Sequence, residues 1–107
     1  MNINLELYKI FYTVAKNQNI TKAANELMIS QPAISKSIKN LEAGLHCNLF
    51  VRTSSGVLLT DEGKILYSQI KQAMNIIESA EDKIKELVNL EEGVLRIGVS
   101  NTLTKRY

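Results

Sequence analysis

The sequence has one cysteine and one histidine, and these two scarce residues, His46 and Cys47, are adjacent. A single cysteine excludes an intrachain disulfide, and its use agrees with a reducing compartment. The longest apolar runs are only a few residues, so we expect neither a secretory signal nor a membrane-spanning segment. These absences predict a cytoplasmic protein that does not associate with a membrane.

The sequence also lacks the residue patterns that catalysis and metal binding require. His46 and Cys47 have no second pair of ligands nearby in the sequence, which falls short of a closed zinc site. The single histidine has no convincing nucleophile or acid arrangement, and there is no glycine-rich phosphate loop. We therefore expect a non-enzyme without metal or cofactor, in which Cys47 is a small packing residue.

The charge is unevenly distributed along the 107 residues. Residues 1–60 carry six Lys/Arg against three Asp/Glu, whereas residues 61–107 carry seven against eight. Apolar residues make up 45% of the chain, which suits one small globular domain with an accessory element. The basic first part weakly favours a polyanionic partner.

Two apolar patterns predict the first two helices. Residues 5–16 carry apolar side chains at helical spacing, which indicates one buried stripe. Thr21 is expected to cap a second, short helix. The inward-facing residues of these helices are predicted to be Leu7, Tyr8, Phe11, Val14, Ala15, Ala23, Ala24 and Leu27.

A tight turn and a third helix follow. Ser30 is a good N-cap, and Pro32 in the first turn forfeits an amide that would have no partner. The inward stripe of this helix is predicted to consist of Ile34, Ile38, Leu41 and Leu45. The exposed face then carries Lys36 and Lys39 and no acid. Glu42 lies nearer the inward stripe, so we expect it to be an internal hydrogen-bond or ion-pair partner.

Two short β-like runs come next, at residues 49–52 and 57–60. A four-residue connection with glycine at its end joins them, which predicts a hairpin, or wing. Thr60 is expected to cap a long helix, with Asp61 and Glu62 in the first turn, where the helix dipole favours negative charge. This helix is predicted to run to about Leu90.

The long helix carries an apolar seam in which steps of four and three residues alternate for three heptads. A helix lying on its own domain would need a wider stripe, so the seam favours self-association. Its residues are Leu66, Ile70, Ala73, Ile77, Ala80, Ile84 and Leu87.

The end of the sequence changes character at Gly93, which is expected to break the helix. Residues 94–99 then predict a buried strand that leads into a possible helix cap at residues 100–102. One strand cannot make a sheet. We therefore expect residues 93–107 to open a second domain that this chain lacks.

The first three helices and the hairpin together predict a winged helix-turn-helix, in which the third helix enters the major groove of DNA. Small outward side chains let the helix backbone approach the base edges. Pro32, Ala33 and Ser35 are small at this place in the helix. The overall expectation is a mainly α fold with a winged helix-turn-helix followed by a long dimerisation helix.

Five segments in order and at the right spacing resemble the signature of LysR-type transcriptional regulators. They are Thr21-Lys22-Ala23-Ala24-Asn25-Glu26-Leu27, Ser30-Gln31-Pro32-Ala33-Ile34-Ser35-Lys36, Ile38 with Leu41-Glu42, Leu49-Phe50-Val51-Arg52-Thr53 and Leu59-Thr60-Asp61-Glu62-Gly63. The similarity covers about residues 3–100. It departs from the family pattern at residues 46–48, where relatives often carry glycine, a small apolar residue and proline, so His46 is expected at a positive φ.

The resemblance implies a DNA-binding domain at residues 1–60, a linker and dimerisation helix at 61–92, and the first strand and turn of a truncated effector-binding domain at 93–107. It implies double-stranded DNA and a second copy of the chain as partners, and allows a tetramer in the full-length protein. A small-molecule effector would bind only in the domain that this chain lacks. Ser100 and Thr102 match the segment where relatives begin to hold their effector. The DNA-binding residues that the resemblance implies have separate roles. The base-proximal residues would be Gln31, Pro32, Ala33, Ser35 and Lys36, and the wing contacts would be Arg52, at a phosphate, and Thr53. The other implied DNA-binding residues are Thr21, Ser30, Lys39 and Asn40.

Three functions remain as hypotheses: a DNA-binding regulator, a coiled-coil interaction module with an incidental winged domain, and a thiol or metal sensor. Salt-dependent DNA binding separates the first from the second, because neutralising phosphates releases counterions. Unchanged DNA binding of a Cys47→Ser variant under oxidant would exclude the third. The regulator is the hypothesis that the sequence favours.

Overall fold

The structure, a computed structural model, describes residues 4–97 and contains four helices and one hairpin in that range. The helices are α1 (Leu5–Asn17), α2 (Ile20–Leu27), α3 (Gln31–Leu45) and α4 (Asp61–Ile97), and the antiparallel strands are β1 (Phe50–Thr53) and β2 (Gly56–Leu59). This order confirms the predicted winged helix-turn-helix followed by a long helix. None of the helices described is long and apolar enough to cross a membrane.

A polar side chain caps the N-terminus of each of the first three helices. Asn4 accepts from the amide of Glu6, and Ser30 accepts from the amide of Ala33, as predicted for the start of α3. The prediction of Thr21 as the cap of α2 is wrong. The Asn19 Oδ1 atom accepts from the Lys22 amide at 2.8 Å, so α2 begins at Ile20 and places Thr21 in its first turn. Both residue types cap well, and the asparagine comes first in the chain.

The core of residues 4–71 consists of two apolar clusters, and the predicted inward stripes of α1, α2 and α3 supply most of it. The first cluster joins these helices to the wing through Ile10, Val14, Ala23, Ala24, Ile34, Ile38 and Val57. The second is built on Phe11, Ala15, Leu41 and Leu49. The early part of α4 packs against this second cluster through Leu66, Tyr67 and Ile70.

The hairpin is tighter than the sequence predicts. Thr53 pairs with Gly56, so two residues connect the strands instead of four. The Thr53 hydroxyl accepts from the Ser55 amide and donates to the Gly56 carbonyl, which closes the turn within the hairpin. Gly56 has a φ of 143°, and a Cβ there would lie 2.5 Å from the carbonyl oxygen of Gln18. The turn therefore requires glycine at this position.

The start of α4 follows the prediction, whereas its end does not. Thr60 accepts from the Gly63 amide at 3.0 Å and caps the helix. The helix then continues through Gly93 to Ile97, so the predicted break and the strand over residues 94–97 are wrong. A glycine costs a helix interior only about 1 kcal/mol. The helix preserves the backbone hydrogen bonds of this segment, whereas a strand needs a partner strand, and none lies beside it among the described residues.

Three helices end on a non-glycine residue in the left-handed region: Gln18, Met28 and His46, with φ of 53°, 59° and 60°. In each case the amide of the cap donates to the carbonyl four residues earlier, which closes the last turn. The positive φ expected at His46 is confirmed. This backbone conformation costs a non-glycine residue about 1–2 kcal/mol, so each of these three turns is strained.

We expect Met28→Gly to raise the free energy of unfolding by about 0.5–1 kcal/mol. The Met28 side chain is 89% exposed, so its removal costs little packing while the strain at positive φ disappears. Urea unfolding at a fixed protein concentration measures the change. Met28→Ala is the matched control, because alanine keeps a Cβ at the same φ. A glycine variant no more stable than the alanine variant would contradict this account.

Candidate nucleic-acid interface

The outward face of α3 presents basic and small polar side chains. Lys36, Lys39 and Asn40 are exposed, and so are Gln31 and Pro32 at the start of the helix. Ala33 and Ser35 are half-buried at the edge of this face. The predicted exposed face of α3 is thus present, because the apolar stripe opposite it is buried in the two core clusters.

Arg52 of the wing lies beside α3. The strand register pairs Arg52 with Val57, and cross-strand partners project from the same face of a hairpin. Val57 is buried in the first core cluster together with Ile34 and Ile38 of α3. The Arg52 side chain therefore leaves the hairpin on its α3 side, where its Nη2 atom donates to the hydroxyl of Ser35 at 3.3 Å.

Two small concave surfaces meet at Arg52. One, of about 200 Å³, brings together four of the predicted DNA-binding residues: Thr21, Gln31, Arg52 and Thr53. The other, of about 150 Å³, lies between α3 and the wing and is lined by Ser35, Lys39, Glu42 and Arg52, among other residues. The α2 N-terminus, α3 and the wing thus contribute side chains to one continuous region.

The remaining predicted DNA-binding residues have separate positions. Pro32, Ala33, Lys36 and Asn40 lie along α3 and line neither concave surface. Ser30 is exposed, but its hydroxyl caps α3. Sequence reasoning missed Asn19, which lines the first concave surface beside Thr21. Its position just before the second helix was the available signal, since asparagine is among the best caps.

Glu42 attaches the wing to α3. Its Oε2 atom accepts from the amide of Leu49 at 2.7 Å and from the amide of Phe50 at 3.3 Å. The prediction that Glu42 is an internal hydrogen-bond partner is confirmed. It is also the only acid between Leu27 and Thr60. This half-buried carboxylate lines the concave surface between α3 and the wing, where it is bound to backbone amides. The fully exposed ionic side chains of α3 and the wing are therefore lysine and arginine.

A second ionic contact joins α1 to α2 away from this face. The Lys16 ammonium donates to Glu26 at 2.8 Å, and the Asn17 amide also donates to Glu26. The hydrogen bond from Lys16 lowers the pKa of Glu26, and the same bond raises the pKa of Lys16. Both side chains are nearly half exposed, so solvent screens the pair and its contribution to stability is small.

The seven seam residues of α4 divide into two groups. Leu66 and Ile70 are half-buried against the second core cluster of their own chain. The other five, Ala73, Ile77, Ala80, Ile84 and Leu87, are exposed in the single chain. The apolar stripe is also wider than predicted, because Ile76 and Val88 beside the seam are exposed as well, at 70% and 44%.

His46 and Cys47 have different surroundings. His46 is exposed at the end of α3, whereas Cys47 is half-buried and packs against the second core cluster. Within residues 4–97, no three His, Cys, Asp or Glu residues are grouped so that they could hold a metal ion. Ser100 and Thr102, predicted as effector contacts, lie outside the described residues.

A family model described as "Bacterial regulatory helix-turn-helix protein, lysR family" matches residues 5–64. Among curated proteins, the chain is 43% identical over 96 residues to the uncharacterized HTH-type transcriptional regulator YoaU of Bacillus subtilis, covering 89% of this chain and 32% of that protein. It is 31% identical to the RuBisCO operon transcriptional regulator of Allochromatium vinosum, covering 96% of this chain and 34% of the other. The chain thus spans about a third of the length of these relatives.

Solved structures share the fold as well. A crystal structure of the BenM DNA-binding domain with catB site 1 DNA matches with a TM-score of 0.70 and 32% identity, covering 79% of this chain and 94% of that one. A crystal structure of full-length CbnR complexed with its target DNA matches with a TM-score of 0.65 and 28% identity, covering 77% of this chain and 28% of that one.

We expect Glu42→Ala to lower the free energy of unfolding by about 1–3 kcal/mol, because two amides at the start of the wing lose their acceptor. Hydrogen exchange should accelerate at the amides of Leu49 and Phe50. Glu86→Ala is the matched control, because it removes the same charge from an exposed position on α4. Unchanged exchange at both amides would show that Glu42 does not hold the wing.

Proposed function

This chain belongs to the LysR family of bacterial helix-turn-helix regulators, and from that premise we propose that it binds double-stranded DNA as a dimer, with α3 of each protomer in the major groove. The observation that carries the proposal is the basic surface of α3 and the wing: Lys36 and Lys39 are exposed on α3, and Lys39 lines one concave surface with Arg52. Glu42, which also lines that surface, is half-buried and bound to two backbone amides. Such a face matches the phosphate charge of DNA, and a helix of this kind fits the major groove.

The DNA complexes of BenM and CbnR support the same orientation, since both share this fold. We propose that the protein binds DNA in the cytoplasm and does not catalyse a reaction. A coiled-coil module with an incidental winged domain would leave the basic face and its small outward side chains without a role. The thiol or metal sensor finds no support in the packing of Cys47 against the core.

Lys36 and Arg52 are proposed to have different roles on DNA. Lys36 lies on the exposed face of α3 and can reach base edges in the groove, whereas Arg52 belongs to the wing and contacts the phosphate backbone or the minor groove. Base contacts specify a sequence, whereas backbone contacts position the protein on any sequence. Substituting Lys36 should therefore change the preference for DNA sequence, whereas substituting Arg52 should change the affinity for all sequences.

We expect Arg52→Ala to weaken binding to specific and random DNA alike, and to lower the slope of log affinity against log salt by about one unit. Lys36→Ala should change the preference at a particular base pair, at a cost of about 1–3 kcal/mol. Sites are first selected from random DNA, and affinities are then measured over a salt series. Lys85→Ala, exposed on α4, controls for the lost charge. Equal losses on all sequences for both variants would refute base reading by Lys36.

The dimer is proposed to form through the exposed seam of α4. The seam alternates isoleucine and alanine, at Ile77, Ala80 and Ile84 after Ala73. A parallel pair would place alanine against alanine in two layers and leave them underpacked. An antiparallel pair instead places Ala73 against Ile84 of the partner subunit, and Ile77 against Ala80 of the partner subunit. Each layer then combines a large side chain with a small one, which favours the antiparallel arrangement.

Disulfide trapping tests the dimer and its direction. In a Cys47→Ser background, a mixture of Ala73→Cys and Ile84→Cys chains should form the mixed disulfide on mild oxidation. Ile84→Cys alone should not cross-link, because the two copies would lie about 16 Å apart along the axis, beyond the roughly 7 Å that a disulfide spans between Cα atoms. Rapid cross-linking of Ile84→Cys alone would indicate a parallel dimer, and no cross-link in any mixture would refute the seam.

We propose that residues 1–60 bind DNA, that residues 61–92 link and pair the protomers, and that residues 93–107 correspond to the start of a sensing domain. The curated relatives are about three times as long as the chain, which leaves room for such a domain. Ser100 and Thr102 are proposed as its first effector contacts. A tetramer, in a protein as long as these relatives, belongs to the same proposal.

A further inference from the structure

The hydrogen bond between Ser35 and Arg52 joins two residues to which sequence reasoning gave separate roles. Ser35 was expected to lie close to the bases and Arg52 to contact the backbone. In the structure the Arg52 Nη2 atom donates to the Ser35 Oγ atom at 3.3 Å. The two residues also line the same concave surface between α3 and the wing. The orientation of the Arg52 side chain therefore depends on Ser35.

The hairpin directs Arg52 toward Ser35. Side chains alternate between the two faces of a strand, so Phe50 and Arg52 share the face that carries the buried Val57. Val51, between them, points to the opposite face. Val51 and its cross-strand partner Leu58 are accordingly 51% and 53% exposed. Arg52 extends from the inner face of the hairpin over α3, where Ser35 lies at the edge of the exposed face.

An arginine on a short wing has many rotamers, and fixing it on DNA costs conformational entropy. A guanidinium has five N–H donors in a planar fork, so one bond to Ser35 leaves the others free for DNA. A serine hydroxyl that accepts one of these donors restricts the arginine before DNA arrives. This lowers the entropy that binding must remove, which is the general advantage of preorganisation.

We propose that Ser35 is a positioning residue that holds Arg52 against α3 in the orientation that contacts DNA, and that Ser35 does not itself read a base. The inference rests on the proposed function, because it concerns how the same surface binds DNA. It replaces the base-reading role expected for Ser35 and leaves that role to Lys36. Ser35 then contributes to affinity only through Arg52.

A double-mutant cycle on the selected DNA site tests this inference. Ser35→Ala should weaken binding about three- to tenfold, the range of one net hydrogen bond. The same substitution in an Arg52→Ala background should have no effect, and Ser35→Thr, which keeps the hydroxyl, should retain affinity. Base preference should stay unchanged in all three variants. Ser68→Ala, on the exposed surface of α4, is the matched control for removing a serine hydroxyl.

Three results would overturn the proposal. Equal losses from Ser35→Ala with and without Arg52 would show that the two residues act independently. A changed base preference in the Arg52→Ala background would show that Ser35 reads a base. No loss in either background would show that the hydrogen bond does not matter for binding. Circular dichroism of each variant verifies that the fold is intact.

A measurement without DNA separates this proposal from the proposed function. Nuclear magnetic resonance relaxation of the Arg52 side-chain nitrogens should report greater mobility in Ser35→Ala than in the unchanged chain or in Ser35→Thr. Failure of the unchanged chain to bind any DNA would refute the proposed function. The relaxation measurement would still show whether Ser35 restricts the motion of the Arg52 side chain. Equal Arg52 mobility in all three proteins would refute the positioning role.

Discussion

The carboxylate of Glu42 binds the amides of Leu49 and Phe50, and the position of the wing depends on this contact. The chain must first reverse after α3, which it does through the left-handed backbone of His46. The Leu49 carbonyl then accepts from the Thr60 amide at the start of α4. Gly63 lies so close to the same carbonyl that no Cβ would fit. The stretch around Leu49 thus joins α3, the hairpin and the start of α4.

This junction also determines the electrostatics of the candidate interface. Glu42 is the only acid in the sequence from Leu27 to Thr60, and it uses its charge on backbone amides at the inner side of the wing. The exposed side of the same region keeps Lys36, Lys39 and Arg52. A net charge of +2 for the whole chain understates this local asymmetry. One half-buried carboxylate therefore contributes both to the architecture and to the sign of the charge on the surface that is proposed to bind DNA.

The sequence predicted the features that depend on local patterns. Helical spacing identified the core faces of α1 and α3, and cap chemistry identified Ser30 and Thr60, because these signals involve residues close together in the chain. It did not predict that Asn19 caps α2 in place of Thr21, since both residue types suit a cap and only the backbone decides between them. The Ser35–Arg52 contact was also missed. It joins residues 17 positions apart, and only the strand register brings them together.

The seam of α4 shows why periodicity alone cannot assign a burial partner. A heptad pattern states that one face of a helix is covered, and it does not state by what. Leu66 and Ile70 begin the pattern, yet both are covered by the core of their own chain. From Ala73 onward the same pattern continues without such cover in the single chain. One continuous heptad pattern thus includes residues for two different contacts. The early residues pack on the core of their own chain, and the later ones are proposed to pack between two copies.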